Sequence, residues 1–275
     1  MTTICSDKTG TLTENRMQVA IVDVGGQEID LAEPLRYGQP VVTQALRDAV
    51  SPRISSLLAI GALCNDAVLQ TQADAGSVAV GDPTEGALLV AAATHGLWKA
   101  ELDERLPRVA EAPFTSGRRR MTTIHLQQFS SLPLPPLAAV SGADPYLAAV
   151  KGSAEKLLGL SVSALDDGVR PMTDADRERI RSAMDRLAWR GLRVLRVACR
   201  TVASVPTDVA SVERGLTFLE LVGLLDPPRP EVRAAVAGCR EAGIRTVMIT
   251  GDHPLTALEI ARQLSSLLRP LLRGR

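Results

Sequence analysis

Aromatic side chains are scarce in this chain, with 3 Phe, 2 Trp and 2 Tyr among 275 residues. An aromatic beside a run of charge therefore stands out. Neither sign of charge is in excess, since 31 Lys and Arg balance 31 Asp and Glu, which argues against nucleic-acid binding through bulk basicity. The cysteines (Cys5, Cys64, Cys199, Cys239) are scattered and form no C-x-x-C pair. Neither a zinc site nor a disulfide framework is indicated, and a reduced, cytosolic environment fits. His95, His125 and His253 share no metal-ligand spacing. Long apolar runs are missing: 87–93 is typical, far short of the ~18–20 residues that span a bilayer. Met1-Thr2-Thr3-Ile4 lacks the basic start and apolar stretch of a signal peptide. No G-x-x-x-x-G-K-[ST] string occurs, so a P-loop ATPase is not supported. No internal repeat is evident.

What is present is enough for a core. Hydrophobic residues make up 45%, which excludes a fully disordered chain, and the length suits one large or two ordinary domains. Thr2–Ser6 reads as the stub of a strand, so the chain is expected to begin part-way through an element. Glu33–Ser51 is polar and turn-rich with one helical stretch. Arg53–Cys64 has helical spacing. Asp82 caps the next helix, with Pro83 in its first turn and Glu85 three residues after the cap. Arg118–Leu126 is a strand candidate, and Gln127–Tyr146, with four prolines, reads as a loop. Thr173 and Asp176 resemble a capping box for a helix that stops at Gly191. Arg193–Arg200 alternates, with Leu195, Val197 and Cys199 on one face and Arg196 and Arg200 on the other. The strand Leu219–Leu225, a helix ending near Gly243, the strand Arg245–Ile249 and a helix through Leu264 make a parallel α/β run. Residues 265–275 show no clear element.

Two carboxylates follow strands, Asp7 and Asp252. Ligands bind at the carboxyl ends of strands in open α/β sheets, and the adjoining Thr, Gly and backbone N–H groups suit phosphate oxygens. A carboxylate there can attack phosphorus to form an aspartyl phosphate, and Lys8 offers charge to the transferring group. On spacing alone, an Asp after a strand is more often a turn residue or a helix cap.

The full string Ser6-Asp7-Lys8-Thr9-Gly10-Thr11-Leu12-Thr13-Glu14-Asn15 resembles the phosphorylation motif of the P-type ATPases. Lys151-Gly152-Ser153-Ala154-Glu155, Asp226-Pro227-Pro228-Arg229 and Thr250-Gly251-Asp252 follow in that family's order. Gly81–Leu88 and Pro113-Phe114 with Arg118–Met121 also match its nucleotide-binding domain. The resemblance covers nearly the whole chain to about Leu264.

That resemblance implies an α/β fold: a partial haloacid-dehalogenase-like, Rossmann-like phosphorylation domain interrupted by an inserted α+β nucleotide-binding domain with a twisted antiparallel sheet. The pieces would be 1–16 and 226–275 for the phosphorylation domain and 17–225 for the insert. It casts Asp7 as nucleophile and Thr9 as a backbone ligand of Mg²⁺. Thr9 stands where related phosphatases carry an acidic group; lacking that general acid/base, the acyl phosphate survives longer. Thr250 and Gly251 would hold the γ-phosphate, with Asp252 near the Mg²⁺–nucleotide group.

In the insert, Phe114 offers a stacking face, against core packing as the plainer reading. Lys151 beside Gly152 lets a base approach the backbone, against a solvated lysine. Arg193 shares the apolar parity of its strand and needs a partner such as a phosphate, against a strand-end residue reaching solvent. Arg119 is set to contact phosphate, against a solvated basic turn, and Glu85 to orient the adenine, against a helix cap. Asp226 and Arg229 join the nucleotide-binding set through their motif. Asp166-Asp167-Gly168 superficially resembles the family's later Gly-Asp-Gly motif but lies inside the insert and reads as a loop.

Ser153-Ala154 replaces the commoner Ala-Pro, and the later catalytic lysine and Gly-Asp-Gly segment are missing. The expectation is therefore a fragment of a pump of the calcium/proton/sodium-potassium-like branch. Its parent would be integral to the cell membrane, with this portion cytoplasmic. The fragment would bind ATP but neither turn it over nor transport, its cation being met only by membrane segments absent here. No nucleic-acid partner is expected. The rival readings are a dehalogenase-superfamily phosphatase and a non-catalytic nucleotide-binding module.

Overall fold

The computed structural model describes residues 2–31, 52–72, 76–127, 144–166, 168–251, 254–264 and 269–272. The expected helical stretch in 33–51 and nearly all of the proline-rich loop lie outside them. β1 (Thr3–Asp7) runs into a wide turn over Lys8–Leu12, then β2 (Gln18–Val24) and β3 (Gln27–Asp30). Next come α1 (Pro52–Leu63), the hairpin β4 (Val68–Gln72) and β5 (Gly76–Val80), α2 (Pro83–Thr94) and α3 (Lys99–Arg105). β6 (Arg108–Thr115), β7 (Arg120–Leu126), β8 (Tyr146–Ser153), α4 (Ala154–Leu160), β9 (Ser161–Leu165) and β10 (Val169–Pro171) follow. The remainder is α5 (Asp174–Trp189), β11 (Arg193–Val202), β12 (Leu216–Leu225), α6 (Pro230–Glu241), β13 (Arg245–Thr250), α7 (Pro254–Gln263) and β14 (Arg269–Leu272).

Local chemistry explains most boundaries. Thr173 and Asp176 form a reciprocal capping box that opens α5. Asp82 accepts from the Thr84 and Glu85 amides and Pro83 occupies the first turn, so α2 starts there. Pro230 in the first turn starts α6, here without a side-chain cap.

The described strands form two main sheets. In the small one β1, β13 and β14 are parallel, with Asp7 opposite Ile249. Residues 269–272 thus pair as a strand, correcting the expectation of no element there: parallel pairing to β13 overrides a local sequence with no periodicity. The large sheet is ordered β10-β9-β12-β11-β8-β7-β6, with β2 and β3 added beside β12, and it is antiparallel except for β12 with β9. One face buries Leu57, Ile60, Leu88, Val197 and Val222 under α1 and α2. The other buries Ile180, Leu187, Phe218 and Leu221 and continues to Val236 and Ile260 of α6 and α7.

Every residue of β12 is buried, as in a strand covered on both faces, although Thr217 and Glu220 interrupt its apolar run. Being covered on both faces also corrects the expected polar side of β11: Arg196 is fully buried. Its guanidinium lies 4.9 Å from the centre of the Phe218 ring, and its Nη2 donates to Met184 Sδ.

The chain passes between the sheets twice, and the passages pair. Thr13 bridges Pro228, Glu14 N–H donates to Pro227 O, and Arg229 N–H donates to Leu12 O.

Candidate functional site: a cleft between the two sheets

A cleft of about 490 Å³ lies where the passages meet the large sheet. From the phosphorylation-motif side it is lined by Lys8, Thr9 and Asp226, and opposite by Asp82 and Thr84 at the start of α2 and Arg193 at the start of β11. Asp226 accepts from Thr13 Oγ1 at 2.6 Å and from Arg16 N–H at 3.1 Å, and Lys8 Nζ stands 3.7 Å from it. Asp226 and Lys8 therefore tie the two passages as well as facing the cleft. Arg229 also ties the passages, donating to Gly10 O at 3.0 Å, but it does not line this cleft. Asp7 and Thr9 are exposed at the carboxyl end of β1, and Gly251 is exposed just past β13. Asp252 lies outside the described residues.

Arg193 is exposed at the first position of β11 and donates to Thr84 Oγ1 at 3.1 Å. Both readings of it hold in part: it reaches solvent, and it does so into the cleft. Thr84 was visible in the sequence only within the helix-opening string and the 81–88 segment, with no role of its own. Its hydroxyl meets a residue 109 positions away, a contact no local pattern announces.

Lys151 is not a solvated lysine. It is 7% exposed, and its ammonium donates to Glu85 Oε1 at 2.6 Å and to the Cys64 carbonyl. Glu85 is not the reciprocal cap of α2. Its other oxygen accepts from the Asp66 and Ala67 amides at 2.9 and 3.2 Å, so the carboxylate turns away from its own helix end. A charge pair this far from water needs its remaining hydrogen-bonding positions filled, and these backbone groups fill them. Burial dominates at the neighbouring Cys64, whose thiol is pushed above its ordinary range although Lys151 acts the other way.

Gly152 also corrects an expectation. The space left by its missing side chain is taken by the protein itself: a Cβ there would lie 2.5 Å from Arg120 Cβ and 2.6 Å from Arg119 O. The β6–β7 turn, not a ligand, makes the close approach. Phe114 at that turn is 61% exposed, so core packing is not its role. The arginines after it differ among themselves: Arg118 and Arg120 both reach Glu213, while Arg119 is exposed with no side-chain partner among the described residues. Glu213 has no signal in the sequence, since it lies in a polar stretch 93 and 95 residues from these partners.

The family model for the P-type ATPase cytoplasmic domain N matches residues 53–231. The chain is 40% identical over 274 residues to the cation-transporting ATPase pma1 of Synechocystis sp., covering 96% of this chain and 28% of that protein. It is 37% identical over 265 residues to calcium-transporting ATPase 1 of Bacillus cereus, covering 96% and 26%. To the sodium/potassium-transporting ATPase subunit alpha-4 of Homo sapiens it is 34% identical over 275 residues, covering 94% and 25%. The chain thus spans about a quarter of the length of these relatives. No helix among the described residues is long and apolar enough to cross a membrane. With the family model matching 53–231 and the relatives covering 94–96% of its length, the chain belongs to the cation-transporting P-type ATPases and contains their cytoplasmic domain N.

Proposed function

We propose that this chain is the ATP-binding and phosphorylation portion of a cation-transporting P-type ATPase, with residues 17–225 as the nucleotide-binding domain and 1–16 with 226–275 as parts of a haloacid-dehalogenase-like phosphorylation domain. The observation that carries the reading is the cleft. Residues from motifs far apart in sequence (Lys8, Thr9, Asp82, Arg193, Asp226) line one cavity, near the exposed carboxylate of Asp7. Phe114 presents the ring for the base, Lys151 with Glu85 forms a rigid polar wall, and Arg119 and Arg193 are the cations for the phosphates.

In this reading the Asp7 carboxylate attacks the γ-phosphorus. A carboxylate O–P bond forms as the bond from phosphorus to the ADP oxygen breaks, with Thr250, Gly251 and Asp252 around the transferring group. The oxygen donors of Asp7 and Thr9 suit a hard dication. Among the described residues no three His, Cys, Asp or Glu side chains cluster as a metal site, so phosphate oxygens would complete any Mg²⁺ shell. When bound, Mg²⁺ supplies charge neutralisation at the phosphates. In the parent, turnover would drive cation transport across a membrane, with this portion on the cytoplasmic side.

The chain alone is proposed to bind ATP without sustained turnover. After Thr250 it holds no Gly-Asp-Gly segment, and losing one preorganised charge-stabilising group costs ~10²–10³ in rate. Calorimetric titration with ATP tests the site. Phe114→Ala and Lys151→Met are each expected to weaken binding about tenfold, within the ~1–3 kcal/mol that base stacking contributes. Unchanged affinity in both would remove the proposed site. In a parallel γ-³²P-ATP assay no protein label is expected; acid-stable, hydroxylamine-sensitive label lost in Asp7→Asn would show a working phosphorylation site.

A further inference from the structure

The β6–β7 turn carries Arg118, Arg119 and Arg120 in succession, a density of like charge that should spread the turn apart. One buried carboxylate prevents this. Glu213, 1% exposed at the end of the short helical turn Val209–Val212, receives Arg118 Nη1 and Thr122 Oγ1 on one oxygen and Arg120 Nε on the other. The Thr122 contact is 2.8 Å. Arg119, between the two captured arginines, has left-handed backbone with φ 55°, a conformation that a non-glycine residue keeps only when its surroundings impose it. Its N–H donates to Thr115 O at 2.7 Å, and its carbonyl accepts from Ser153 N–H at 2.9 Å, just past Lys151 and Gly152. The turn is therefore fastened twice, once to Glu213 and once to the end of β8.

We infer that Glu213 is a positioning residue for nucleotide binding. It pairs with Arg118 and Arg120 at once, offsets one of their two charges and fixes the corner on which Arg119 stands, so that the Arg119 cation is held toward the phosphates. This rests on the nucleotide-binding reading above. Its charge acts through Arg119 and not through the base, so its effect must grow with the number of phosphates. A merely structural role would weaken all ligands alike.

The test titrates ATP, ADP and adenosine into the whole chain and into Glu213→Gln, Arg119→Ala and the double variant. Glu213→Gln keeps the side-chain shape and removes the charge. The expected result is a five- to twentyfold loss for ATP, a smaller loss for ADP and none for adenosine, with the double variant no weaker than Arg119→Ala alone. Should Glu213→Gln fail to fold, Arg120→Gln, on the half-buried rim, releases half of the carboxylate toward Arg119 and should give the same graded loss. Equal losses for all three ligands, or no loss for ATP, would overturn the inference while wild-type binding upholds the site. Absence of ATP binding by the wild type would overturn the site and the inference with it.

Discussion

Glu220, in the middle of β12, is 1% exposed and faces Arg53, with Gly25 N–H donating to it at 3.2 Å. Burial outweighs these partners and pushes its carboxyl from 4.5 up to about 8. Between those values the folded chain holds a proton that the unfolded chain has released, so stability falls as pH rises through the window. His125 acts in the opposite sense. Burial takes its imidazole from 6.5 down to about 4, so the unfolded chain binds the extra proton there and stability falls as pH drops. The two slopes oppose each other between about 4.5 and 6.5, where His95, also lowered by burial, adds to the His125 side, and of these three groups it is Glu220 that acts above that range. Urea unfolding should therefore show stability declining from pH 6.5 to 8, at up to about 1.4 kcal/mol per pH unit, the slope for one proton. Glu220→Gln should flatten that decline; an unaltered slope would assign it to another group. Arg196 marks the limit of reading at this scale. Its alternation with Leu195 and Val197 is plain in the sequence, but nothing local says that the far face of β11 is roofed by α5. Burial lowers its pKa to about 9, with the Arg177 charge adding to the effect.

At the scale of elements, whatever carries its own punctuation was legible. α1, α2, α5 and α6 fall within a few residues of their expected bounds, because prolines, caps and apolar spacing set them locally. The strands of the large sheet were harder. β6, β8, β9 and β10 have no distinct alternation, and β12 begins three residues earlier than its apolar run suggests, because pairing with β11 and β9 determines its length. A motif singled out Lys151 and strand parity singled out Arg193, whereas the Glu213 cluster and the Arg193–Thr84 contact arise only when distant segments meet. Gly152 joins the two levels. Its motif pointed to close approach, and the packing shows that β7 is what approaches. Gly152→Ala should force β7 and β8 apart, costing about 1–3 kcal/mol as overpacking does, and should weaken ATP binding by displacing Lys151 and Arg119 together. Thermal unfolding and calorimetry on the same variant check this; a stable variant with full affinity would show that the strands tolerate a methyl group there.

At the scale of the molecule, the small parallel sheet and the large antiparallel one are joined by passages that are hydrogen-bonded to each other and pinned by Asp226. Asp226→Ala removes the pin while leaving the backbone pairing between Thr13 and Pro228. Spin labels placed on α6 and α5 should then report a broader distance distribution than in the wild type, without a second unfolding transition. A distribution as narrow as the wild type's would show that the backbone pairing alone sets the stiffness. Two separate strands of chain would let the sheets twist, slide and part independently. A bonded ribbon resists stretching along its length and shearing in its plane, and it yields most readily to bending across its thin direction. The cleft that holds Lys8 and Arg193 on its opposite sides sits at this ribbon, beside a core that both sheets share, so bending at the ribbon would change its width and the angle between the sheets together.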